Sequence, residues 1–112
     1  MNLHAETRDG ALIVQMGERR LDAAIAIRFK DRMREILSDP APQVILDLSA
    51  VDFLDSSGLG AIVAVMKSLP GGCQLELAGL TPNVDKVFRL TRMDSVFVIH
   101  PGRAGIGLLD AG

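Results

Sequence analysis

The run Val51-Asp52-Phe53-Leu54-Asp55-Ser56-Ser57-Gly58-Leu59-Gly60 sets two hydroxyls and a glycine directly after an aspartate. There an aliphatic strand pattern gives way to helical spacing through Leu59, Ile62, Val63 and Met66. Hydroxyls at such a junction lie at the mouth of a helix, beside backbone N–H groups that have no partner within the helix and that favour negative charge. A serine in that place is either an ordinary cap or an acceptor of a phosphoryl group. Phosphorylation near pH 7 adds roughly −1.5 to −2 charges and three strong acceptor oxygens. The helix mouth softens that charge within the chain, whereas a partner surface fitted to a neutral hydroxyl beside Asp55 would meet repulsion of several kcal/mol. Binding would then be switched without unfolding anything.

Other residues with chemical potential give less. Asp22, Asp47, Asp52 and Asp55 all fall at strand or turn ends, where carboxylates commonly satisfy backbone N–H groups, and that reading leads for Asp47 and Asp52. Asp55 either caps the helix or shapes recognition of Ser56 by a kinase, and residue physics alone favours the cap. A hydrolase elbow would need a glycine two residues before its serine and a histidine base, and Leu54-Asp55-Ser56-Ser57-Gly58 has no such glycine. His4, His100 and the single Cys73 have no metal-ligand spacing, so no metal is expected. Cys73 reads as a buried or half-buried small hydrophobe. The glycines at Gly58, Gly60, Gly71 and Gly72 match neither dinucleotide nor P-loop spacing, so no cofactor is expected.

A chain of 112 residues, 48% hydrophobic, with a mean hydropathy of +0.28, fits one compact domain over 1–112. Its 12 basic and 14 acidic residues are spread along the whole length, which argues against a nucleic-acid surface. Charge, glycine or proline cuts each apolar run short of a membrane span, and Met1-Asn2-Leu3-His4-Ala5-Glu6 lacks the pattern of a secretory signal. The expectation is a cytoplasmic protein with no membrane insertion.

Around the serine pair, the pattern predicts a hairpin first: a strand near residues 3–7, a turn at Asp9-Gly10 and a strand over 11–16. Asp22 reads as the N-cap of a helix through Leu37, with Ile25, Phe29, Met33, Ile36 and Leu37 inward. Its charged face suggests pairs such as Arg28 with Asp31 and Arg32 with Glu35. Asp39-Pro40-Ala41-Pro42 closes that helix. The aliphatic run over 43–48 suits a central strand covered on both faces. A helix from Ser56 to about Leu69 ends at Pro70-Gly71-Gly72, and residues 73–78 form the next strand. Thr81-Pro82 reads as a capping hydroxyl and a first-turn proline, with Val84, Val87, Phe88 and Leu90 inward. Residues 95–99 read as a last edge strand, and the tail from about 101 as frayed or weakly helical near 106–109. The order β-β-α-β-α-β-α-β implies an α/β fold with a mixed, largely parallel sheet and helices mainly on one face.

This pattern resembles the STAS domain of anti-sigma factor antagonists over roughly residues 3–100. The resemblance rests on Val44-Ile45-Leu46-Asp47-Leu48 and the 51–60 run, supported by Leu21-Asp22, Thr81-Pro82-Asn83-Val84 and Val87-Phe88. It implies a non-enzymatic binding module in which Ser56 is phosphorylated by a partner anti-sigma factor that is itself a serine kinase. Unphosphorylated, the module would bind that partner; phosphorylated, it would let go, and a serine phosphatase would restore it. Asp22 and Asp55 would belong to the recognition surface, Ser57 to the helix-start geometry, and Gly58 would give the partner close access. Two features depart from the family pattern. Gly17-Glu18-Arg19-Arg20-Leu21-Asp22 is two residues longer than the usual connection, and the tail is glycine-rich. The alternative implied by the same resemblance is a non-switching STAS subunit of a larger complex such as a lipid transporter.

Overall fold

The computed structural model describes residues 1–39 and 41–102. In chain order its elements are Leu3–Arg8 (β1), Ala11–Met16 (β2), Arg20–Leu21 (β3), Ala26–Ile36 (α1), Gln43–Asp47 (β4), Phe53–Leu54 (β5), Ser56–Ser68 (α2), Gln74–Ala78 (β6), Pro82–Leu90 (α3) and Ile99–His100 (β7). The main sheet has the order β1-β2-β4-β6-β7, antiparallel only between β1 and β2. A second, two-stranded parallel sheet joins β3 to β5.

The hairpin forms as its sequence dictates. Asp9 at φ 52° and Gly10 at φ 82° make the two-residue left-handed turn that Asp-Gly favours, which fixes Arg8 opposite Ala11 and Leu3 opposite Met16. Alternation along the strands then sorts the side chains. Val14, Met16, Val44, Leu46, Leu75 and Leu77 join Phe29 and Met33 of α1, Ile62 and Val65 of α2, and Val84 and Phe88 of α3 in one core. Ala11, Ile13, Ile45 and Ala78 form a separate small cluster on the opposite face, where no helix packs among the described residues. The expected mixed sheet with helices mainly on one face is thus what the chain builds.

Four local expectations need correction. Helix α1 begins at Ala26 behind Ile25, not behind Asp22. Asp22 starts the preceding turn instead: its Oδ1 accepts the Ala24 N–H, and its carbonyl accepts those of Ile25 and Ala26. Thr81 makes no side-chain cap; its hydroxyl donates to the Val51 carbonyl at 2.7 Å, tying the start of α3 to the loop after β4. Leu90 is 74% exposed, because it lies two residues, about 200° of helix, beyond the buried Phe88. Residues 95–99 are mostly not a strand. Arg92, at φ 58°, leads into a 3₁₀ turn over Met93–Ser95, and only Ile99–His100 pairs with β6. Phe97 folds inward onto Phe88, edge to face at 5.8 Å, while Val96 and Val98 stay exposed. Of residues 95–98 only Phe97 is buried, and the chain comes to it out of the turn rather than along a strand.

On the charged face of α1, Arg32 pairs with Glu35 as expected, and Asp31 pairs with Arg34. Exposed pairs of this kind contribute under about 1 kcal/mol each. Pro40 and the helix expected near 106–109 fall outside the described residues.

Candidate functional site

The serine pair opens α2. Asp55, extended at φ −101° and ψ −176°, is the N-cap, and its Oδ1 accepts the Gly58 N–H at 2.8 Å. Its Oδ2 accepts the Ala23 N–H at 3.2 Å, and its own N–H approaches the Leu21 carbonyl at 3.4 Å. One half-buried carboxylate therefore caps α2 and also holds the connection between β3 and α1 against it. A cap of this kind is worth roughly 1 kcal/mol, and the second bond adds a cross-link between segments far apart in sequence.

With both Asp55 oxygens engaged, Ser56 and Ser57 stand exposed at the first two helical positions. Their hydroxyls have no hydrogen-bond partner among the described residues. Exposure does not separate the two serines. Asp22 lies next to Asp55 across the β3–β5 pair, since Leu21 is registered with Leu54. The structure thus brings Asp22, Asp55, Ser56 and Ser57 together at one end of the molecule.

Gly58 has a different place from the one expected of it. It is buried, and a Cβ added there would fall inside van der Waals contact with the Leu21 carbonyl oxygen and lie 2.8 Å from Leu54 Cδ1. Its missing side chain lets α2 lie close on β3.

The longer Gly17–Asp22 connection becomes β3 and forms a basic rim that sequence reasoning did not single out. The Arg19 carbonyl accepts the N–H groups of Asp52 and Phe53. The Arg19 guanidinium bonds Asp52 at 2.6 Å, and that hydrogen bond, then the carboxylate's charge, raises its pKa above the ordinary value. Arg20 pairs with Asp22 through Nε at 3.1 Å and stacks 4.0 Å above the Phe53 ring, which is 38% exposed. Asp52, expected to serve backbone N–H groups, serves Arg19 instead. The one signal in the sequence was the adjacent arginines inside the extended connection. Asn83 Nδ2 donates to the Asp52 carbonyl at 3.3 Å, so α3 supports the loop from below, as Thr81 does at Val51.

His4 and His100 lie on β1 and β7, the two edge strands of the main sheet. Among the described residues no three His, Cys, Asp or Glu side chains gather as a metal site, and no helix is long and apolar enough to cross a membrane. What the serine end offers is a solvent-facing hydroxyl at a helix start, with a carboxylate-and-arginine rim and an exposed aromatic ring beside it.

Comparison with known proteins agrees with this architecture. An anti-sigma-B factor antagonist of Staphylococcus aureus is 22% identical over 103 residues, 91% of this chain and 94% of the relative. The crystal structure of an anti-sigma factor antagonist from Mycobacterium paratuberculosis superposes with a TM-score of 0.84 at 25% identity, covering 97% of this chain and 92% of that one. The Bacillus cell fate determinant SpoIIAA, solved in its phosphorylated form, superposes at 0.69 with 16% identity over 99% and 100% of the two chains. The STAS domain profile matches residues 2–105, almost the whole chain, and by that match the chain belongs to the STAS domain family.

Proposed function

We propose that this protein is an anti-sigma factor antagonist that works as a phosphorylation-switched binding module, with Ser56 as the acceptor. The observation that carries the reading is the arrangement at Asp55: its carboxylate is engaged in capping α2 and clamping the β3–α1 connection, which leaves the Ser56 and Ser57 hydroxyls exposed and without a partner among the described residues, and the resemblance to the family motif selects Ser56 of the two. The likeness to named antagonists, one of them solved as a phosphoprotein, supports it.

In this reading the partner is an anti-sigma factor with serine kinase activity. It docks on the surface formed by Asp22, Asp55, the first turn of α2 and the Arg19–Arg20–Phe53 rim. Gly58 contributes by letting α2 seat closely. The protein catalyses nothing itself. A phosphate on Ser56 adds roughly −1.5 to −2 charges beside two existing carboxylates. The N-terminus of α2 returns about 0.3–1 kcal/mol to the modified chain. A docked partner meets like charge at a desolvated contact costing several kcal/mol, enough to empty the complex. A serine phosphatase resets the cycle.

The test is incubation with the cognate kinase, ATP and magnesium, with the phosphate located by mass spectrometry and partner affinity measured before and after. Phosphate at Ser56 with loss of affinity is expected. Phosphate on Ser57 alone, or on Ser56 without loss of affinity, refutes the switch and leaves the domain as a constitutive binding subunit. Ser56→Ala should bind and resist release, and Ser56→Asp should bind weakly.

A further inference from the structure

The main sheet has two edges, and the chain treats them differently. β7 is two residues long and runs straight into Pro101, which has no N–H to offer. β1 is six residues long, contains neither proline nor glycine, and keeps its register against β2 from Leu3 to Arg8 without a bulge. No further strand lies beyond it among the described residues. An edge of this kind is a template for another strand unless charge, proline or a bulge spoils it.

The hairpin decides which backbone groups are free. The two-residue loop at Asp9-Gly10 makes Arg8 and Ala11 a hydrogen-bonded pair, and alternation extends this to Glu6 with Ile13 and His4 with Gln15. The Gly17 N–H, donating to the Asn2 carbonyl at 2.8 Å, continues the same phase. Residues 2, 4, 6 and 8 therefore turn their backbone groups towards β2. The N–H and C=O groups of Leu3, Ala5 and Thr7 point outward, and no described residue bonds them.

The side chains select the strand that fits. Laid antiparallel on a copy of itself about Ala5, β1 sets Ala5 against Ala5 and Leu3 against Thr7, in both directions. These are the outward-facing positions, so each free group finds a partner. His4 then lies opposite Glu6 of the copy, twice over, in the non-hydrogen-bonded pairs where side chains stand closest. Leu3 belongs to the helix-side core, so by alternation His4 and Glu6 share the other face, His4 exposed and Glu6 half-buried. Arg8 of the same chain holds Glu6 Oε1 at 3.0 Å, which leaves the second oxygen to an imidazole N–H. Arg8 itself falls opposite Asn2. A slip of two residues one way would set His4 against His4, and the other way Glu6 against Glu6, so this register is the one that charge favours.

We propose that the chain pairs with a second copy of itself through β1, in an antiparallel two-fold contact centred on Ala5 that continues one sheet into the other. The contact uses the same patch on both copies and is closed, so it yields a dimer and not a filament. With six residues a side it is smaller than a standard stable interface, which gives a dissociation constant on the order of tens of micromolar. The two-fold turns the serine ends of the copies in opposite directions, and the inference is independent of whether Ser56 is modified.

The test is sedimentation equilibrium of the full chain across a range of concentrations, with hydrogen exchange read at each amide. A monomer–dimer equilibrium is expected, with exchange slowing at Leu3, Ala5 and Thr7 as concentration rises and staying unchanged at His4 and Glu6. In a mixture of labelled and unlabelled chains, an intermolecular nuclear Overhauser contact should join the Hα of His4 to that of Glu6. Ala5→Pro removes an N–H that β2 does not use, and it should weaken dimerisation at least about tenfold with the monomer still folded. Glu6→Lys should weaken it several-fold, and adding His4→Glu to that variant should restore it. Should Ala5→Pro fail to fold, the paired exchange at His4 and Glu6, whose side chains reach solvent, decides the matter. A monomer at millimolar concentration, a dimer that Ala5→Pro leaves untouched, or no rescue by the paired exchange overturns the proposal.

Discussion

Two glycines two residues apart in α2 should respond to the same substitution with opposite signs. At Gly58 a new Cβ meets the Leu21 carbonyl oxygen inside van der Waals contact, with the Leu21 carbonyl carbon at 2.9 Å and Leu54 Cδ1 at 2.8 Å. Leu54 can turn, but the Leu21 carbonyl cannot move far, because it also receives the Asp55 N–H and belongs to the β3–β5 pair. Overpacking a tight contact costs about 1–3 kcal/mol, and a backbone obstacle belongs at the upper end. Alanine in place of glycine in a helix returns up to about 1 kcal/mol. Gly58→Ala should therefore lose about 2 kcal/mol, a fall in Tm of roughly 10 °C for a domain of this size. At Gly60 a Cβ meets nothing within 4 Å, so Gly60→Ala should gain about 0.5–1 kcal/mol from propensity alone. Urea and thermal unfolding of both variants measure the contrast. If Gly58→Ala lies within a few tenths of a kcal/mol of Gly60→Ala, the close approach of α2 to β3 is wrong, and the account of Gly58 falls with it.

Three further outcomes follow from the same geometry. Asp55→Ala removes the acceptor for both Gly58 and Ala23 and should cost about 1.5–3 kcal/mol; hydrogen exchange should quicken at both amides, and acceleration at Gly58 alone would show that the clamp to Ala23 does not form. Thr81→Val leaves the buried Val51 carbonyl without its donor and should cost about 1 kcal/mol, read as a lower urea midpoint with an unchanged slope. Phe97→Ala should cost about 3–5 kcal/mol, whereas Val98→Thr should stay within about 0.5 kcal/mol; equal losses at the two positions would show that Phe97 does not pack into the core against Phe88.

Much of this fold was legible because its strongest signals are local. Asp9-Gly10 dictates its own turn, and the aliphatic runs at 43–48 and 73–78 can satisfy their burial only as inner strands. Errors arose where a local preference had two outlets. Asp22 does bond backbone N–H groups, but an extra turn stands between it and α1. Thr81 does bond a backbone group, across the fold at Val51. Residues 95–99 are apolar enough for a strand, but a turn over Met93–Ser95 leaves only Phe97 among residues 95–98 turned inward. The β3–β5 pair has only two residues in each strand, too few to leave any periodicity, so the rim of Arg19, Arg20 and Phe53 could not be read before the strands were placed. At the serines, sequence gave the cap and the exposed hydroxyls, and it missed that Gly58 looks inward.

The bond from Asp55 to Ala23 has one more implication. It spans 32 positions and, with the β3–β5 pairing, brings Asp22 to the serine end, so the proposed recognition surface does not exist in any short stretch of chain. A kinase that reads Asp22 beside Ser56 reads a completed fold. A synthetic peptide covering residues 51–62, or a chain still emerging from the ribosome, would carry the proposed acceptor hydroxyl but not the folded surface around it. Phosphate on Ser56 would then certify, molecule by molecule, that the protein bearing it had already folded.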